Sequence, residues 1–319
     1  MKNKDGWNIS LNTLRLPLTF ILIFLGIGLW RFWATGSIFF VFNFGYIGTA
    51  IATGIFLNDA LPKKQRLWGR RIGQLLVASY MLGFLGFISR ENMQLEGFFF
   101  YLLMGIFAAA TLHYFIAKVV GPLALNRGWC GWACWTAMAL DFLPWRKPQQ
   151  GRLRYFGLMR YVHFFLSLGL VCYLWYIAGN REIHSAQSLA EVYWLAAGNA
   201  LYYLVGITLA IVLKDNRAFC KYACPIPVLQ KVGARFALWK MEIDHGKCTD
   251  CGICEKNCPM DIKLLTYKQA SQRILSTECV LCFTCGNVCP KAAVTLTAKF
   301  DISTQEHLHY SEKEDVSRS

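Results

Sequence analysis

The sequence predicts an all-α polytopic membrane bundle, with six transmembrane helices in two related halves and a small α+β domain at the carboxyl end. Three observations predict it: long apolar runs, an uneven distribution of Lys and Arg, and cysteines gathered in repeated spacings. Of 319 residues, 55% are hydrophobic and 16% charged, whereas soluble globular domains carry about 25% charged residues. That balance excludes a disordered chain and an ordinary soluble enzyme.

A helix needs about 20 residues to cross a hydrocarbon core about 30 Å thick. Apolar runs near that length occupy 14–33, 38–57, 72–89, 97–120, 161–178 and 193–213. The first follows Lys2, Lys4 and Arg15. It is too long for the apolar region of a signal peptide and is read as a retained span. The second holds Asn43, Gly45, Gly48 and Gly54, and small residues let helices approach closely.

Basic residues set the orientation. The amino terminus, the loop with Lys63, Lys64, Arg66, Arg70 and Arg71, and the stretch from Lys118 through Arg127, Arg146, Lys147, Arg152, Arg154 and Arg160 together hold fifteen Lys and Arg. The alternate loops hold three, Arg31, Arg90 and Arg181. The positive-inside rule then places both termini in the cytoplasm, the chain being multi-pass in a bacterial inner membrane. The net charge of +14 is accounted for by topology, so no nucleic acid is expected as a partner; membrane lipid is.

The first domain is therefore 1–213. Residues 214–240 read as a basic interfacial linker carrying Phe219, Tyr222, Phe236 and Trp239, residues 241–300 as a compact cysteine-rich module, and 301–319 as a flexible tail. The module holds two matching runs, Cys248-x2-Cys251-x2-Cys254-x3-Cys258-Pro259 and Cys279-x2-Cys282-x2-Cys285-x3-Cys289-Pro290. This is the bacterial-ferredoxin spacing for two [4Fe–4S] clusters, in which the fourth cysteine of each run serves the other cluster. Three closely spaced thiolates wrap one cubane and the next points away. Cys248, Cys251, Cys254 and Cys289 are assigned to one cluster, and Cys279, Cys282, Cys285 and Cys258 to the other. Gly252 and Gly286 leave room for backbone amides near sulfide. Ile253, Ile262, Val280 and Val294 are candidates to keep the clusters dry. A zinc ribbon would instead use separated pairs.

A second repeat lies nearer the membrane. Arg127-Gly-Trp-Cys130-Gly-Trp-Ala-Cys134 and Arg217-Ala-Phe-Cys220-Lys-Tyr-Ala-Cys224-Pro225 share one pattern, which is the basis for two related halves. Cysteines at i and i+4 share a helix face. Cys130, Cys134, Cys220 and Cys224 are candidates for a third iron–sulfur cluster, for copper or another metal, or for redox-active or structural thiols. Arg127 and Arg217 could offset cluster charge or bind lipid phosphate. His113 and His163 are ionisable residues within spans, and such residues are functional candidates. They are read as candidate quinone-site groups, as a haem-ligating pair, or as histidines bonded within the bundle. Asp141 is a proton-relay candidate or a solvated carboxylate. Glu91, Glu96, Glu182, His184 and Glu191 lie on the opposite face and would matter if a quinol released protons there.

These motifs resemble those of the membrane-bound ferredoxin family of periplasmic nitrate reduction and nitrous oxide respiration, the NapH/NosR-type polyferredoxins. The resemblance covers about residues 70–300 and rests on the two Cys-x3-Cys elements and the two ferredoxin runs. Trp135 stands where the family has the proline of its first Cys-x3-Cys-Pro motif. The resemblance implies a quinol dehydrogenase-type role, with quinone or quinol as substrate and a redox partner protein. The function expected is electron relay between the quinone pool and that partner. The rival readings are a copper- or other metal-handling reductase or assembly factor using the Cys-x3-Cys pairs, and a redox-sensing subunit.

Overall fold

The computed structural model describes residues 7, 9–106, 109–146, 148, 151–179, 188–303 and 305–311. Lys2, Lys4, Lys147, Arg181, Glu182 and His184 lie outside the described residues. The chain divides into two compact units, Met1–Met81 with Cys130–Met138, and Leu82–Trp129 with Ala139–Ser319.

The first unit is built on α1 (Leu11–Thr35), α2 (Phe39–Ala60) and α3 (Arg66–Ala78), the last continuing as wider π turns over Ser79–Ile88. Helix α1 stops at Gly36, which takes φ +71° and returns its N–H to the Phe32 carbonyl at 2.7 Å. This is a left-handed cap that glycine adopts without a Cβ penalty. The turn after it is short, so α1 and α2 run antiparallel. The glycines of α2 permit close approach: a Cβ on Gly48 would come within 2.6 Å of Phe24 Cβ, and one on Gly54 within 2.8 Å of Gly73 Cα. Tyr80 Oη–H donates to Asn43 Oδ1 at 2.9 Å, which satisfies an amide buried in an apolar setting.

The second unit begins at Leu82, within those π turns, and continues with α4 (Leu95–Leu103) and α5 (Ala109–Tyr114), the latter continuing as π turns over Phe115–Val120 into α6 (Gly121–Leu125). The expected fourth span is thus interrupted. Gly105 adopts φ +70°, and the Gly105 and Ile106 N–H groups close back onto Leu102 and Tyr101, which ends α4. Five continuous helices among the described residues are long and apolar enough to cross a membrane: Thr13–Thr35, Phe39–Ala60, Arg66–Ile88, Phe156–Tyr176 and Leu189–Leu213. The remaining expected span, the fourth, is two shorter pieces.

Next come α7 (Gly128–Trp132), α8 (Trp135–Leu140), α9 (Met159–Tyr176) and α10 (Leu189–Leu213). Residues 214–240, expected as a basic interfacial linker, divide: Phe219 and Tyr222 turn inward while Phe236 is exposed. Lys214 ends α10 in the left-handed region, and the chain folds into α11 (Ala218–Tyr222) and α12 (Ile226–Ala234). Phe219 and Tyr222 are buried. Phe219 packs with Leu140 and Tyr202 rather than lying in lipid headgroups.

The cysteine-rich module comprises β1 (Trp239–Ile243), α13 (Ile253–Lys256), α14 (Leu264–Gln269), α15 (Thr284–Val288) and β2 (Val294–Ala298). The strands pair antiparallel, Trp239 opposite Ala298 and Ile243 opposite Val294. Backbone bonds join the module to α6 and the segment after it: Leu238 N–H to Leu123 O at 3.0 Å and Arg127 N–H to Cys279 O at 3.3 Å. The described part of the expected tail is also tied down. Ser303 N–H bonds Arg235 O, His309 N–H bonds Asp261 O, and Ser311 N–H bonds Arg152 O. These groups find partners on the body, so the described residues 301–303 and 305–311 are tied down.

Candidate metal centre

Each cysteine run is a tight loop opening into a short helix. The loops repeat each other in backbone conformation. Asp250 and Leu281, Gly252 and Phe283, and Asp261 and Ala292 occupy matching places in the two runs, and all six take positive φ between 47° and 70°. Residues other than glycine enter this region at a cost of about 1–3 kcal/mol, and such strain gathers at functional sites. Turns alternating right- and left-handed residues aim backbone N–H groups into a concavity that suits an anion.

The loops enclose two cavities. Cys248, Cys251, Cys254 and Cys289 line the first, of about 350 Å³. Cys258, Cys279, Cys282 and Cys285 line the second, of about 380 Å³. Each draws three cysteines from one run and the fourth from the other. Among the described residues no three Cys, His, Asp or Glu side chains converge closely enough to hold a single metal ion. Zinc would require convergence, with sulfur about 2.3 Å from one ion. Thiols spread around a volume suit a polynuclear cluster. Burial pushes the Cys258 and Cys279 thiols up to about 12 and the Cys254 thiol up to about 11. Thiolates there need a cationic centre to be formed at neutral pH. Ile253 and Val294 wall the first cavity, and Ile262 and Val280 the second.

Glu278, the residue before Cys279, was not singled out by the sequence. Its carboxylate is 1% exposed and meets four cations: Arg127 at 2.6 Å, Arg160 at 2.8 Å, Lys231 at 2.6 Å and Arg152 at 3.2 Å. Burial alone would raise its pKa, but Arg152, Arg160, Arg127 and Lys231 outweigh it and hold the carboxyl well below the usual range. A carboxylate one place from a ligand-type cysteine, in a basic chain, was the available signal. The opposite arginine of the repeat is matched in the same way. Arg217 donates to Asp141 from Nε at 2.8 Å and Nη2 at 2.6 Å. Both arginines are therefore held by buried carboxylates, not by lipid, and Asp141 is a clamped group, not a solvated one. Lys221 bridges Asp215 and Asp261 in the same interior.

Comparison with known proteins fits this geometry. Residues 240–290 match the family described as "4Fe-4S dicluster domain", and residues 97–152 and 199–243 match "4Fe-4S binding domain". Relatives include an uncharacterised protein of Methanocaldococcus jannaschii, 26% identical over 76% of this chain and 91% of its own length. The putative electron transport protein YccM of Escherichia coli is 25% identical over 59% of this chain and 56% of its own length. The ferredoxin-type protein NapH of Haemophilus influenzae is 25% identical over 56% of this chain and 64% of its own length. The chain is a relative of the NapH-type ferredoxin proteins. No solved structure matches it.

The two Cys-x3-Cys elements lie one in each compact unit. Cys130 is buried in α7, and Cys134 follows that helix, its carbonyl accepting from Met138 N–H at 2.9 Å. Cys220 is buried in α11, and Cys224 N–H bonds Phe219 O at 2.9 Å. His113 is buried on α5. His163 on α9 places Nδ1 2.7 Å from Ala223 O, with its ring edge-on to Tyr202. Of the carboxylates expected on the opposite face, Glu91 and Glu191 are buried. Burial pushes the Glu91 carboxyl up to about 8. Glu96 accepts from Ser167 Oγ–H at 2.6 Å.

Proposed function

We propose that the chain relays electrons between the membrane quinone pool and a redox partner, with two [4Fe–4S] clusters held by Cys248, Cys251, Cys254 and Cys289 and by Cys258, Cys279, Cys282 and Cys285. The observation that carries this reading is the pair of cavities, each walled by four cysteines drawn from both runs. The names of the ferredoxin-type and electron-transport relatives support it. When bound, such clusters supply one-electron exchange at a potential tuned by charge, hydrogen bonding and exposure.

The chain's own residues do the rest. Met260, Ile262, Leu264, Ile274 and Val280 exclude water from the second cavity. Arg127, Arg152, Arg160 and Lys231 place positive charge beside Cys279 through Glu278. A quinol releases two protons with its two electrons, so proton acceptors are required. With Nδ1–H given to the Ala223 carbonyl, His163 presents Nε2 as an acceptor. We assign it, with His113, to the quinone site. The Lys and Arg asymmetry supports a cytoplasmic location for both termini and for the cysteine module. The matched 4Fe-4S binding stretches include Cys130, Cys134, Cys220 and Cys224, and this pattern supports thiolates for additional iron.

The test is iron and sulfide content of anaerobically purified chain, with electron paramagnetic resonance before and after a short-chain quinol. Two cubanes require about eight irons, and a third centre about twelve. Absence of a reducible iron signal refutes the reading. A signal untouched by quinol refutes the quinone link alone.

A further inference from the structure

The residues lining the two cavities differ in exposure. Thr249, Cys251, Ile253, Pro290 and Lys291 line the first cavity and are exposed. Every residue lining the second is buried or half-buried. Electron exchange weakens steeply with distance, so a soluble carrier must approach the first. The carrier's chemistry can be read from the mouth. Its centre, Cys251, Ile253 and Pro290, is apolar and suits a small water-excluding contact.

The rim is basic. Lys247 is matched by Asp244 and Lys268 by Asp250, each at 2.7 Å, so these pairs add no net charge. Glu255 turns inward and accepts from Leu265 N–H at 2.6 Å. Lys291 lines the mouth. Lys256 lies three places after Ile253 on α13, a spacing that makes them neighbours on a helix surface. Both lysines are exposed, and neither has an ion pair among the described residues. The two lysines therefore set positive charge around a centre that four thiolates make negative, and they, not the centre, favour an anionic partner.

We propose that this mouth is the docking surface for a soluble, acidic one-electron carrier protein. This rests on the reading above, that the first four cysteines hold a cluster. In each encounter one electron crosses the mouth, the carrier changing by one electron and the chain by one in the opposite sense. No bond or proton is transferred. Weak electron-transfer encounters of this type use small interfaces, below about 1,200 Å², and depend on steering for their rate.

The test uses the full chain in detergent, reduced anaerobically and freed of reductant, mixed by stopped flow with an oxidised acidic flavodoxin. The expected second-order rate falls as salt is added. The double variant Lys256→Glu with Lys291→Glu should slow it at low salt by about tenfold or more, the lower range of electrostatic steering. It should also flatten the salt dependence and speed reaction with a basic carrier, cytochrome c. In the single variant Lys256→Glu, at a residue outside the cavity wall, iron content and the paramagnetic signal should match the unmodified chain. Unchanged rates and salt dependence with a normal iron signal overturn the docking surface alone. An unmodified chain without a reducible iron signal overturns both the surface and the reading beneath it.

Discussion

The two cysteine cavities share a backbone and differ in almost everything around it. Three pairs of residues repeat the same left-handed conformations in both loops, yet the first cavity has exposed residues at its rim, Cys251 among them, while the second is lined by buried and half-buried residues, with Met260, Ile262, Ile274 and Val280 buried. The second cavity lies beside Glu278 with its four cations, and Arg127 N–H bonds the Cys279 carbonyl. The first is bordered by salt bridges at the surface, Lys268 to Asp250 and Lys247 to Asp244. The lesson is that duplicated loops acquire distinct surroundings from their neighbours: one sits beside a buried charge network and the other carries exposed residues at its rim.

The largest expected effect breaks this comparison at Glu278. Glu278→Ala leaves Arg127, Arg152, Arg160 and Lys231 around a missing carboxylate. Removing one partner of a buried ion pair costs about 3–5 kcal/mol. Thermal unfolding of the detergent-solubilised holoprotein should shift down strongly, with iron lost from the second cavity before the first. Lys291→Ala, at the open mouth, should leave the unfolding temperature in place. Equal behaviour of the two variants would mean that the cation cage adds nothing to stability.

Next in size are the fourth cysteines. Cys289→Ser should remove about four irons from the centre of Cys248, Cys251 and Cys254, leaving the centre built on the run that contains Cys289. Cys258→Ser should do the converse. Spectra of the two single-centre forms would then show the first bleached sooner by an added iron chelator, because Cys251 is exposed and the second cavity has no exposed wall. If each variant instead empties the cavity of its own run, the crossed arrangement is wrong.

The ligand-type cysteines were legible because loop spacing is a local property: tight turns between Cys248 and Cys254 are written in the residues that make them. The glycines of α2 were legible for the same reason, since Gly54 meets Gly73 in a hairpin of adjacent helices. What depends on distant residues was not. Glu278 and Arg127 are 151 positions apart, and no periodicity links them. The fourth span read as one apolar run because hydropathy does not register a single left-handed glycine, Gly105. Phe219 and Tyr222 suited an interfacial face by type. Only the packing of Phe219 against Leu140 and Tyr202 shows that the segment turns inward. The tail read as loose from its polarity, while its order comes from backbone bonds to Arg152, Arg235 and Asp261.

The smallest effect expected is one that touches both cavities alike. Asp301 accepts from Arg273 Nε at 2.7 Å and from Lys240 Nζ at 2.8 Å, and Arg273 Nη1 also donates to the carbonyls of Leu238 and Thr297. This network fastens the β1–β2 pair, whose Met241 lines the second cavity and whose Val294 lines the first. Burial pushes the Asp301 carboxyl up, but hydrogen bonds from Arg273 and Lys240 prevail and hold it below its usual value. A depressed carboxyl stabilises the fold above its unfolded pKa, about 3.9, and that contribution is lost as pH falls through the lower folded value. Asp301 is 29% exposed, so solvent screening limits the loss in Asp301→Asn to about 1 kcal/mol. At pH 7 the variant should unfold slightly earlier and release iron from the two centres in parallel, in contrast to Glu278→Ala. Below about pH 4 the difference from the unmodified chain should shrink. A variant that empties one centre ahead of the other would show that the strands support the cavities unequally.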